Sequence, residues 1–191
     1  MKARKMVMVA AALLFGVTAA IAQPRAIDTE KSVMTVRVSK AGMLSGLGHD
    51  HEISAPVANG TVDTASHQVV LRVNARSLRV MDQGISDKDR AEIQSNTLGL
   101  PVLDAEHFPE IAFQGTGAAS GGNGAWTVNG NLTLHGQTRP VTVTVQEAAG
   151  HFKGVSRLKQ SDFGITPIKV AGGTIRVKDE IQIEFDIQLA R

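Results

Sequence analysis

Hydrophobic and polar residues alternate with a period of two through residues 130–145. Leu132 and Leu134 alternate with polar residues before a short turn, and Val141, Val143 and Val145 alternate with threonines after it. Because successive side chains of a β-strand point to opposite faces, this pattern predicts an antiparallel hairpin with one apolar face and a turn within residues 135–140.

The same alternation returns near the C-terminus, where five apolar residues interleave with polar ones: Ile181, Ile183, Phe185, Ile187 and Leu189. Residues 27–40 and 69–73 predict further strands, and weaker strand patterns follow residue 110. Residues 116–124 are rich in Gly, Ala and Ser and predict a solvated hairpin loop.

One segment predicts a helix. Ser86 is followed three positions later by Asp89, which is typical of a capping box, and residues 91–98 then predict a short helix. The fold class indicated by the whole pattern is all-β, an antiparallel β-barrel of about eight strands with one short helix.

The first 22 residues predict a secretory signal peptide. Lys2, Arg4 and Lys5 precede an apolar run at residues 6–17, and Ala20 and Ala22 offer a small-x-small cleavage site. We therefore expect one domain over residues 23–191, an exported protein in the periplasm, and no transmembrane anchor in the mature chain. The sequence has no cysteine, so disulfides cannot stabilise it.

The charge balance argues against nucleic-acid binding. Three of the 20 basic residues and none of the 18 acidic ones lie in the predicted leader, so the remaining chain carries one more acidic than basic residue. No basic stripe with interleaved aromatics occurs in the sequence. Neither a nucleophile elbow nor a zinc-protease helix nor a phosphate loop is present, so the sequence gives no support to an enzyme.

The alternation also predicts which side chains face the barrel interior and are candidates for ligand binding. These residues are Val36, Val38, Leu71, Val73, Phe113, Leu132, Leu134, Val143, Val145, Phe163, Ile183 and Phe185. An interior of this kind either holds an apolar ligand in a cavity or is filled as a packed core, and both alternatives remain open at this point.

His49 and His51 are candidate metal ligands. Residues two apart on a strand face the same side, so this His-x-His pair could hold one transition metal ion if further ligands joined it. The structural alternative is that the imidazoles and Asp50 form hydrogen bonds within a bend after the first strand.

Several motifs resemble the YceI-like family. They are Val102-Leu103-Asp104 followed by residues 107–113, the hairpin start at residues 130–138, Ser161-Asp162-Phe163-Gly164-Ile165, and Val177-Lys178-Asp179-Glu180-Ile181. The chain departs from longer members of the family at Lys40-Ala41-Gly42 and at residues 94–98, so it resembles a shorter branch.

The resemblance implies a lipocalin-like barrel with a hollow interior and a polyisoprenoid ligand. The expected function is a periplasmic carrier that holds a long apolar lipid, such as an isoprenoid or a quinone, with no other cofactor. Two alternatives are a periplasmic metal-binding protein that uses the His49/His51 pair and a partner-binding stress-response protein with a packed core.

Overall fold

The computed structural model describes residues 23–41, 50–170 and 175–190, so the predicted signal peptide and His49 lie outside the described residues. The strands, in chain order, are β1 (Arg25–Ala26), β2 (Val33–Ala41), β3 (His51–Ser54), β4 (Val57–Asp63), β5 (Gln68–Asn74), β6 (Arg79–Val80), β7 (Glu110–Gly122), β8 (Ala125–Leu134), β9 (Gln137–Ala148), β10 (His151–Lys159), β11 (Lys169–Val170) and β12 (Ile175–Gln188). The helix α1 spans Asp87–Leu98, and two 3-10 turns span Ala75–Ser77 and Gln160–Phe163.

All the strands form one antiparallel sheet that curls into a barrel. Its order is β1-β4-β5-β7-β8-β9-β10-β12-β2-β3-β6, with β11 paired to β12. β3 and β4 are separated only by Ala55 and Pro56; β3 pairs with β2 whereas β4 pairs with β5, so this bent segment joins the two sides of the sheet.

The all-β barrel prediction is confirmed, but the strand count differs. β1, β6 and β11 have two residues each, and β3 and β4 are two parts of one bent segment. A period-two pattern can be recognised only over several residues, so strands of two residues could not be predicted from the sequence.

The hairpin predicted from the alternation is formed by β8 and β9. Its turn consists of His135 and Gly136 alone, both with positive φ (50° and 69°), and Leu134 pairs directly with Gln137. Two residues with positive φ make a type I′-like connection, whose twist matches that of the flanking strands. β9 therefore begins at Gln137, inside the segment that the sequence predicts as turn.

A second prediction is wrong. Residues 116–122 belong to β7 rather than to a loop, and Gly117, Ala118 and Ala119 pair with consecutive residues of β8. The ladder uses main-chain groups, which small residues supply as well as large ones, so the low β propensity of this segment does not prevent pairing.

The predicted helix exists but begins earlier, at Asp87 instead of residue 91. Ser86 is its N-cap, and its hydroxyl accepts a hydrogen bond from the Asp89 amide at 3.1 Å. Gln94 ties the helix to the barrel, because its amide donates to the Leu78 carbonyl and its carbonyl accepts from the Val80 amide. The helix thereby covers one end of the barrel.

Candidate functional site

The interior of the barrel contains an apolar cavity of about 280 Å³. Eleven of the predicted inward-facing residues line it: Val36, Val38, Leu71, Val73, Phe113, Leu132, Leu134, Val143, Val145, Ile183 and Phe185. This volume is close to the lower end of the range of about 300–1,000 Å³ that is typical of small-molecule pockets. The interior is therefore partly hollow, as the family resemblance implies, and is not a completely packed core.

Phe163 differs from the other predicted residues. Its side chain is 1% exposed and belongs to the packed core, whereas it is absent from the cavity wall. It ends the 3-10 turn Gln160–Phe163, just before Gly164 adopts a left-handed conformation, so it does not follow the in-out rule of a strand.

One end of the cavity is closed. Leu103, Ile165 and Thr97 are buried and line the cavity there. Phe163 belongs to the same core cluster as Leu103 and Ile165 but does not line the cavity. These residues come from α1, the loop that follows it and the segment after β10, so connecting segments rather than strands cover this end of the barrel.

The opposite end is open and polar. Thr64 and His67 line the cavity although both are exposed, so the cavity reaches the surface beside the β4–β5 turn. The rings of His67 and Trp126 have centroids 5.0 Å apart, and Trp126 Nε1 donates to Glu147 Oε2 at 3.1 Å. We call His67, Trp126 and Glu147, together with Asp63, the rim cluster.

Asp63 is held in its ionised form. The Ser66 hydroxyl donates to Asp63 Oδ2 at 2.6 Å, and the amides of Ser66 and Ala65 donate to Oδ1. These hydrogen bonds, with a smaller contribution from His67, hold the pKa of the Asp63 carboxyl below its usual value. The Asp63 carboxylate therefore keeps its negative charge at the opening to a lower pH than an isolated aspartate does.

Sequence reasoning did not identify the rim cluster. Its members come from the β4–β5 turn and from the ends of β8 and β9, and only the fold brings them together. The residue that could have pointed to this cluster is Trp126, the one tryptophan of the chain. The N–H of a partly buried indole usually has a hydrogen-bond partner, so a polar residue was to be expected near it.

Two uncharged polar residues, Ser156 and Gln160, line the cavity away from the rim. They are 8% and 6% exposed, respectively, and alternate with Leu158 along the inner face of β10 and the residue that follows it. The ladder between β9 and β10 stops at the pair Thr144 and Val155, so the two strands part at the level of Ser156.

The structure places His51 in a structural contact. Its Nδ1 lies 2.6 Å from Oδ2 of the buried Asp82, and Asp82 Oδ1 accepts from the Glu52 amide at 2.7 Å. Asp50 accepts a hydrogen bond from the Lys40 amide at 2.9 Å. Within residues 23–41, 50–170 and 175–190, no group of three or more His, Asp or Glu side chains is arranged to hold a metal ion. The pairing of His51 with His49 stays a prediction.

Comparison with known proteins places the chain in a family. The model of the YceI-like domain matches residues 26–189. The chain belongs to the YceI-like family. Curated relatives include UPF0312 proteins of Vibrio cholerae (28% identical over 179 residues, 87% of this chain and 88% of that protein) and Vibrio campbellii (30% over 189 residues, 92% of each).

Solved structures show the same YceI-like fold. The crystal structure of Burkholderia cenocepacia BcnA matches with a TM-score of 0.64 and 22% identity, over 86% of this chain and 99% of that chain. The Campylobacter jejuni YceI protein matches with a TM-score of 0.52 and 15% identity, over 73% and 81%. Among the described residues, no helix combines the length and apolar character needed to cross a membrane.

Proposed function

We propose that this YceI-like protein is an exported carrier that holds one long apolar lipid, of isoprenoid or quinone type, inside its barrel. The observation that carries the proposal is the apolar cavity that opens to the surface at the rim cluster. The predicted signal peptide supports a periplasmic location, where a lipid would need such a carrier to cross an aqueous compartment.

The hydrophobic effect is sufficient to hold such a ligand. Each methylene removed from water contributes about 0.8 kcal/mol, so about ten buried methylenes would contribute about 8 kcal/mol. That free energy corresponds to a Kd of about 1 μM before the cost of immobilising the chain is subtracted. No charged or covalent contact is required, and binding and release are passive.

Native mass spectrometry tests the proposal directly. The mature protein, residues 23–191, is purified without detergent from an exporting host, and the same sample is extracted with organic solvent. We expect an adduct of lipid mass and its recovery in the extract. A bare protein mass together with an extract that contains no lipid would overturn the carrier function, and a metal-sized adduct would favour the metal-binding alternative.

A matched pair of variants on β9 locates the ligand. Val143 lines the cavity, whereas the adjacent Thr142 is exposed on the outer face. We expect Val143→Asp to abolish lipid retention, because a carboxylate in an apolar cavity must lose its hydration. Thr142→Asp should retain lipid as the wild type does. Equal retention by two folded variants, judged by circular dichroism, would show that the lipid lies elsewhere.

A further inference from the structure

Ser156 is a buried hydroxyl that lines an apolar cavity without a protein partner. It is 8% exposed and faces the interior from β10, opposite Ile183 of β12. Its hydroxyl makes no hydrogen bond to any other described residue. Among the described residues, every side-chain N or O atom that is fully shielded from solvent has a hydrogen-bond partner, so the unpaired Ser156 hydroxyl is not fully shielded. The hydroxyl is therefore accessible from the cavity.

Gln160 adds an acceptor on the same wall. Its Nε2 donates to the Lys178 carbonyl at 2.9 Å, and because a carbonyl can only accept, this contact fixes which way the amide points. The side-chain carbonyl oxygen of Gln160 makes no hydrogen bond within the described chain, and the residue is 6% exposed in the cavity wall. Leu158 separates Ser156 from Gln160 along this wall.

From Ser156 we infer that the cavity wall along β10 contains a hydrogen-bonding subsite for an uncharged polar end group of the ligand, such as an alcohol, a phenol or a primary amide. Gln160 lies four positions further along this wall, about 13 Å away at a rise of about 3.3 Å per residue, and offers a separate acceptor toward the closed end. The inference rests on the proposed carrier function and adds the orientation of the ligand. The polar end lies inward beside Ser156, and the apolar chain extends toward the rim cluster.

The cost of unpaired polar groups supports this assignment. A donor or acceptor that loses contact with water and finds no partner costs about 1–3 kcal/mol. Hydrocarbon filling the cavity would impose this cost at Ser156 and Gln160, so a cavity that only received hydrocarbon would be better lined by alanine or leucine at these positions. The charged residues of the wall, Asp63 and Glu147, lie at the opposite, open end. A charged end group beside Ser156 would have no counter-ion among the adjacent wall residues, and an uncharged one needs none.

β9 and β10 do not pair at the level of Ser156. The ladder between them ends at Thr144 and Val155, immediately before Ser156, so no main-chain partner from β9 reaches Ser156 from that side. In a continuous ladder Val143 would lie directly opposite Ser156 and would cover its hydroxyl.

Two ligands of equal size test the subsite. 1-Dodecanol and tridecane have the same number of non-hydrogen atoms, and both can displace the neutral fluorescent probe N-phenyl-1-naphthylamine from delipidated protein. In Ser156→Ala, we expect the affinity for 1-dodecanol to fall about 5- to 10-fold, the range for one lost hydrogen bond, while the affinity for tridecane stays unchanged. Thr127→Ala, which removes an exposed outer-face hydroxyl on β8, should change neither affinity.

Thermal unfolding of the unliganded proteins separates binding from folding. Because the Ser156 hydroxyl has no protein partner, Ser156→Ala should be at least as stable as the wild type. If Ser156→Ala changes the affinities for both ligands by the same factor, or for neither, the subsite is overturned while the carrier function stands. If neither ligand displaces the probe from the wild type, the carrier function itself fails.

Discussion

Phe113 and Phe185 shape the cavity through their contacts with glycines. A Cβ built on Gly154 would lie close to the ring of Phe185, and one on Gly130 would lie close to the ring of Phe113. Each aromatic ring therefore occupies the space that a side chain at the glycine of a neighbouring strand would fill. Packing against a glycine thus keeps these two rings close to the strands that form the wall.

Gly154→Ala should disturb this arrangement. The added methyl would also lie close to the Thr144 carbonyl, so either the β9–β10 ladder shifts or Phe185 moves into the cavity. We expect a loss of about 1–3 kcal/mol in the free energy of unfolding, as for other overpacked sites, and weaker binding of the neutral probe. Urea unfolding and probe titration measure these two effects.

Gly117→Ala is the control for backbone entropy. Gly117 also lies in a paired strand, but a Cβ there would contact nothing within 4 Å, so this variant should be as stable as the wild type or slightly more stable. If both variants lose the same stability and bind the probe equally, the glycine–aromatic packing has no role in keeping the cavity open.

At the scale of elements, the 3-10 turn Gln160–Phe163 closes one end of the barrel. It is hydrogen-bonded to β12, to β9 and to the turn between β8 and β9. The Ser161 hydroxyl and amide both donate to Asp179 of β12, at 2.6 and 2.8 Å. Arg139 of β9 donates to the Asp162 carbonyl at 3.0 Å, and His135 lies 3.2 Å from the Phe163 carbonyl. The turn is thereby fixed beside the strand ends, with Phe163 in the core.

We expect the contact with Asp179 to make the stability of this end of the barrel depend on pH. The Ser161 hydroxyl, followed by its amide, holds the pKa of the Asp179 carboxyl below its ordinary value of 3.8. A carboxyl whose pKa is lower in the folded state stabilises the fold above its unfolded pKa, and this stabilisation is lost as the pH falls through the lowered pKa. The relevant window therefore lies below about pH 4.

We expect Asp179→Asn to be less stable than the wild type at pH 6, with a difference that shrinks as the pH falls from 5 to 2. Urea unfolding at a series of pH values measures it. Ser161→Ala, which keeps the amide donor, should show the same trend with a smaller amplitude. A difference between wild type and Asp179→Asn that stays constant over this range would contradict the assigned role of the carboxylate.

The sequence predicts well those strands that have one apolar and one polar face. β8, β9 and the second half of β12 alternate because one side chain in two faces the cavity, so both their existence and their inward residues could be predicted. β7 continues through Gly117 and Ala118, where neither face requires a large side chain, and it was predicted as a loop. Phe163 is buried as the sequence predicts, but it lies in a 3-10 turn, whose period differs from that of a strand, and it packs in the core instead of lining the cavity.

The polar parts of the site could not be predicted in the same way. His67, Trp126 and Glu147 come from separate turns and strand ends and meet only when the barrel forms. Ser156 lies in the alternating pattern of β10, but a single serine among inward positions gives no sign of whether a neighbouring strand will satisfy it. Both features depend on long-range pairing rather than on local sequence.

At the scale of the whole molecule, the barrel is completed by its N-terminal segment. β1 pairs with β4, while Ile27 forms a bridge with Leu189 after the end of β12, and the Asp28 amide donates to the Gln188 carbonyl at 2.8 Å. The segment thus lies between two strands that do not pair with each other. Ile27 is 5% exposed and belongs to a small core cluster that also contains Val57 and Ile187.

Ile27→Ala should therefore destabilise the entire barrel rather than loosen one end of it. Truncation of a buried isoleucine costs about 2–5 kcal/mol, which lowers the Tm of a domain of this size by about 2–4 °C for each kcal/mol. Val33→Ala, on the exposed side of β2 with 59% exposure, should change the Tm very little. If Ile27→Ala unfolds at the wild-type temperature, the N-terminal segment is a peripheral strand and the sheet is held closed by the bent β3–β4 segment alone.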